Sequence, residues 1–74
     1  MSRLPMITAA QAIKALKRVG FIEHHQKGSH LYLWHPGHLK MTSVAMHPGD
    51  LPRGTTKAMI EQAGLTQNEF QKLL

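Results

Sequence analysis

The 74 residues predict an α+β domain of order α-β-β-β-α, its terminal helices covering one face of a three-stranded antiparallel sheet. Three observations carry this. Apolar residues recur at helical spacing over residues 8–19, an alternating stretch broken by turn residues occupies 21–47, and helical spacing returns after residue 53.

Thr8 opens the first helix as N-cap, with Gln11 three residues on completing a capping box. Ala9, Ala12, Ile13, Leu16 and Val19 share one face, Lys14, Lys17 and Arg18 face water, and Gly20 stops the helix at C′. Residues 21–27 and 29–35 read as two strands joined around Gly28. Pro36-Gly37 is turn chemistry, after which Lys40 to His47 resumes an extended pattern. The two prolines of His47-Pro48-Gly49-Asp50-Leu51-Pro52 end that strand. Arg53-Gly54-Thr55 leads into a second helix with Ala58, Met59, Ile60 and Ala63 on one side and Gly64 closing it. Thr66 and Glu69 form a second capping box, and Phe70, Leu73 and Leu74 give the last short helix an apolar face.

Parity sets the faces of the sheet. Leu31 and Leu33 point one way, toward the helices; His30, Tyr32 and Trp34 point the other, onto the open face. A turn centred on Gly37-His38 pairs Leu31 with Val44, Leu33 with Thr42, Tyr32 with Ser43 and His30 with Ala45. Met41 then lies beside Trp34, and His47 is a diagonal neighbour of His30 at roughly 7–8 Å between backbones.

Composition narrows the function. A single domain spanning residues 1–74 buries only roughly 60–65% of its unfolded surface, so a partner adds useful stability. With no cysteine, disulfides and thiolate metal sites are excluded. There is no membrane-spanning apolar run, and Met1-Ser2-Arg3-Leu4-Pro5 does not read as a signal peptide, so a soluble cytoplasmic protein is expected. Nine Lys and Arg, Arg3 among them, outweigh four Asp and Glu for a net charge of +5, spread along the chain in the manner of a surface that meets nucleic acid.

The chemistry centres on Gly28-Ser29-His30. An imidazole both takes and gives a proton near neutrality, and here it follows a glycine turn in a basic protein, which points to a phosphodiester. His35 and His38 have a zinc-like spacing, but Pro36-Gly37 between them makes a turn and no third ligand joins, so no metal is expected. Glu23, Asp50, Glu61 and Glu69 show no pairing that suits carboxylate catalysis. His24 and His25 alternate on an edge strand, so one of them at most reaches the site.

Taken together, Ala12–Arg18 running into Gly20-Phe21, then Lys27-Gly28-Ser29-His30, His47-Pro48-Gly49, Gly54-Thr55 and Ile60–Leu65 form an ordered set of motifs. In that order and spacing the sequence resembles the HicA toxins of bacterial and archaeal toxin–antitoxin modules. These are small, ribosome-independent mRNA interferases with a double-stranded-RNA-binding-domain-like fold. The resemblance implies that His30 is the catalytic residue, without a cofactor. It also implies that a HicB-type antitoxin covers the RNA-cleaving face and, through its own DNA-binding domain, represses the operon. DNA would thus be met only indirectly.

On this reading Lys27, Gly28, Ser29, Lys40 and His47 are candidate RNA contacts, with Lys27 and Lys40 flanking the site, and Tyr32, Trp34 and Met41 are candidate antitoxin contacts. Two rival classes remain. One is a non-catalytic RNA-binding module that grips a duplex by shape; the other is a structural subunit whose open face binds a protein.

Overall fold

A computed structural model describes residues 4–74 in the order α1 (Ala9–Arg18), β1 (Ile22–Lys27), β2 (His30–His35), β3 (Lys40–Ala45), α2 (Arg53–Gln62) and α3 (Gln67–Gln71). Arg3, counted above among the basic residues, and the start of the Met1–Pro5 stretch lie outside the described residues. The expected α+β architecture holds: a three-stranded antiparallel sheet of order β1-β2-β3 with the helices against it.

Both capping boxes form, Thr8 with Gln11 and Thr66 with Glu69, and each satisfies amides that a helix start leaves unpaired. Gly20 follows the α1 C-cap at φ +109, a conformation open to glycine and costly for other residues. The expected β2–β3 register is present pair for pair, from His30 opposite Ala45 to His35 opposite Lys40. Leu33, Val44, Leu16, Leu51, Ile60 and Phe70 make the centre of the core, so the leucine face of β2 does point at the helices. The segment before α1 joins this core through Leu4 and Ile7, and the Leu51 amide donates to the Ile7 carbonyl at 2.7 Å.

Four details depart from expectation. β1 carries a bulge between Glu23 and His25, so His24 is the extra residue and strict alternation fails there. The two histidine rings consequently meet, Nδ1 to Nδ1 at 2.6 Å, instead of taking opposite faces. On α2, Thr56 is buried while Ala58 is exposed, because the helix meets β3 through Thr56, Met59 and Ile60. At the chain's end Leu74 is 43% exposed and only Phe70 and Leu73 pack inward. Finally, the helices cover β2 and β3 alone: β1 is exposed along its whole length, tied to α1 by a Lys17–Glu23 ion pair at 2.5 Å.

Candidate functional site

Residues directly opposite in an antiparallel sheet project from the same face, so the open face is crossed by rows of side chains. The first row is Lys27, His30 and Ala45, the second His25, Tyr32 and Ser43, and the third Ile22, Trp34 and Met41. Successive rows stand about 6.7 Å apart, two residues at the strand rise.

His30 begins β2 directly after the two-residue turn Gly28-Ser29. Gly28 sits at φ +59, and a Cβ there would meet nothing within 4 Å, so backbone conformation and not crowding calls for glycine. Ser29 is exposed, and its carbonyl accepts from the Met46 amide at 2.6 Å, which fixes the turn against the end of β3. Lys27 is exposed and faces His30 across the hairpin. The His30 ring is half-buried, and among the described residues it makes no hydrogen bond within the protein.

α2 lies along β3 and rises past the sheet as a wall beside the first two rows. Between wall and sheet is an open concavity of about 350 Å³. His30, Ser43 and Ala45 line it from the sheet; Gly54, Thr55, Ala58 and Gln62 line it from α2, with Met59 beneath. That volume is at the low end for a small-molecule site, and the open trough suits a polymer laid across it. The N-terminus of α2 contributes here too. Pro52 is its N-cap, with no side-chain cap and no acidic residue in the first turn, and the first helical bond runs from Thr56 N–H to Pro52 O at 3.0 Å. The amides of Arg53, Gly54 and Thr55 thus end the helix with a partial positive charge beside His30.

The remaining expected residues are dispersed. Lys40 does not flank this concavity: it pairs with His35, five residues along β3 from Ala45, or roughly 17 Å away. The four-residue loop Pro36–Leu39 puts Lys40 at the far end of the sheet, where its side chain packs over Gly64. His47 follows β3, exposed and outside the lining of the concavity. Trp34 and Met41 do lie together, with Ile22 joining them, but two rows from His30 and not adjacent to it. Tyr32 stands in the row between, its ring stacked on His25 at 4.6 Å and 7°.

His35 has a structural task. The His38 amide donates to its Nδ1 at 3.1 Å, so Nε2 carries the hydrogen and donates to the Val19 carbonyl at 2.9 Å, closing the end of α1. Among the described residues no group of three or more His, Asp or Glu side chains stands together to hold an ion, and no helix is long and apolar enough to cross a membrane.

Of the lining residues the sequence pointed to His30 alone as a site residue; Ser43, Ala45, Gly54, Thr55, Ala58, Met59 and Gln62 carried no such expectation. Their signal is faint: Gly54, Ala58 and Gln62 repeat at four-residue intervals as a face of α2 without a large apolar side chain.

Against curated proteins the chain has no significant match. A family model described as HicA toxin of bacterial toxin-antitoxin matches residues 9–65, from the first residue of α1 to just past α2. The match takes in Lys27, His30 and the whole wall of the concavity, well over half of the 74 residues. A sheet with one open face, a histidine at its hairpin turn and this match make the chain a member of the HicA toxin family, the toxin half of a bacterial toxin–antitoxin pair.

Proposed function

We propose that this toxin is a ribosome-independent endoribonuclease that cleaves mRNA with His30 and without a metal ion, and that a HicB-type antitoxin neutralises it by covering the open face. The observation that carries the reading is the His30 imidazole, without a hydrogen-bond partner among the described residues, opening onto a concavity with Lys27 beside it and the uncapped α2 N-terminus across from it.

The substrate supplies the nucleophile. The ribose 2′-hydroxyl attacks the adjacent phosphorus, the P–O5′ bond breaks, the imidazole takes the 2′ proton, and the departing 5′-oxygen leaves protonated. The products are a 2′,3′-cyclic phosphate and a 5′-hydroxyl. Negative charge on the phosphorane grows where the Lys27 ammonium and the α2 amides face it. Gly28 shapes the turn, while Ser29 and His47 are outlying phosphate contacts. Lys40, at the other end of β3, stands too far from His30 to reach the same phosphate.

The third row suits the antitoxin. Ile22 at 53% and Met41 at 39% exposure flank Trp34, which makes a larger apolar strip than the fold needs. Through Tyr32 it reaches the row of Ser43, which borders the concavity, so a protein seated across these rows excludes RNA by coverage alone.

The test replaces His30 by Ala and by Gln. Both variants should fold and bind antitoxin, yet lose RNA cleavage and growth arrest. Wild-type cleavage should persist in EDTA and leave cyclic-phosphate ends. Undiminished cleavage by His30→Ala would sink the assignment. Retained RNA binding by a wild-type protein that never cleaves would favour the binding-module reading instead.

A further inference from the structure

One row in from His30, the open face forms a slot. The His25 ring covers the β1 side of the Tyr32 ring at 4.6 Å, nearly parallel. The other face of Tyr32 looks toward β3, where the residue opposite is Ser43, too small to cover it. Beyond Ser43 stands α2, with Ala58 exposed and Gln62 one turn further on.

Gln62 is exposed, and its side chain reaches the edge of β3. The Thr42 hydroxyl, only 2% exposed, donates to the Met59 carbonyl at 2.9 Å and lies 3.4 Å from Gln62 Oε1. The hydroxyl's one hydrogen goes to Met59, so Gln62 Oε1 only touches Thr42 at the edge of β3, and the amide is left to turn toward the concavity that Gln62 lines.

We propose that this slot holds the nucleobase next to the cleaved phosphate and that Gln62, with Ser43, reads the edge of that base. The inference rests on the ribonuclease reading above. A nucleotide has a charged end and a flat aromatic end, and the site presents their complements in order. Lys27 in the first row and the α2 amides beside His30 suit the phosphate, and the Tyr32 face in the second row, with Ala58 on the α2 wall, suits the base. An amide and a hydroxyl in the plane of such a base discriminate by hydrogen bonding. Gly54 and Ala58, four residues apart on the wall, keep α2 thin enough for the chain of nucleotides to lie against it.

The experiment sequences the 5′-hydroxyl ends that wild type, Gln62→Ala, Gln62→Glu and Ser43→Ala leave on a pool of random-sequence RNA. Wild type should show a base preference at one position adjoining the break. Gln62→Ala should lower kcat/KM about tenfold at preferred sites and much less at disfavoured ones, the loss expected of one base-edge contact. Gln62→Glu should move the preference toward cytosine, whose amino group offers the donor a carboxylate needs. An unchanged preference in Gln62→Ala, or no preference in wild type, overturns the slot while leaving His30 catalysis standing. A Gln62→Ala variant that loses antitoxin affinity with its cleavage pattern intact overturns it too, and assigns the slot to the partner. Cleavage by His30→Ala at the wild-type rate removes the ribonuclease reading and the slot together.

Discussion

Gly20 is held at φ +109, and a Cβ added there would come within 2.7 Å of His35 Nε2, the atom that donates to the Val19 carbonyl. Gly20→Ala therefore imposes backbone strain and breaks the bond that closes α1. It should cost about 2–3 kcal/mol of unfolding free energy, read as a lower urea midpoint. Glu69 makes a milder case. The Thr66 backbone N–H and then its hydroxyl hold the carboxyl below the usual carboxylate range, with Lys72 adding to the effect. A depressed folded value means that the stabilisation is present above the unfolded carboxylate pKa and is lost as pH falls through the folded one. Wild type should exceed Glu69→Ala in thermal midpoint at neutral pH and converge with it in acid; a constant gap would show that the carboxylate charge plays no part. Leu39 holds φ +54 at 73% exposure, with its amide donating to the His35 carbonyl at 2.8 Å to close the β2–β3 loop.

At the level of elements, α1, the two capping boxes and the β2–β3 register were legible because each is specified locally. Thr8 and Gln11 satisfy one another within a turn, and the register follows from where Pro36-Gly37 places the bend. The same register already put Lys40 opposite His35, so its assignment beside His30 failed on arithmetic the sequence contained. The bulge at His24 was not legible, since no glycine or proline marks it and two adjacent histidines fit alternation equally well. Nor was the wall of the site. Whether Thr56 or Ala58 faces inward depends on how α2 docks on β3, and hydrophobicity alone favours the alanine. The third row yields a prediction of its own. Trp34→Ala should weaken the antitoxin complex by more than about 1–2 kcal/mol, measured by calorimetry, while toxicity of the free protein falls less. If Trp34 fluorescence ignores the antitoxin and the variant binds as tightly, the inhibitory surface lies elsewhere.

For the whole molecule, a net charge of +5 with a single ion pair among the described residues leaves most of the basic surface unpaired. Phosphate contacts make RNA affinity fall with salt, by about 0.7 counterions for each single-strand contact. Lys27→Glu should flatten that slope, whereas Lys40→Glu should behave like Lys72→Glu, each at a distance from the concavity. Equal slopes for all three variants would reduce the basic surface to a diffuse field. The bareness of β1 also has a temporal consequence. This strand is held by its pairing with β2 and one exposed ion pair to α1, yet it carries Lys27 and enters the turn that leads to His30. Detaching it opens little apolar core, so the site should come apart transiently while the rest stays folded. Amides of 22–29 should then exchange with deuterated water well before those of 31–33, and RNA or antitoxin spanning β1 should slow them. Matched exchange in the two segments would mean that the site lasts as long as the core. If they differ, the toxin's open face is whole only for the fraction of time its outermost strand is closed.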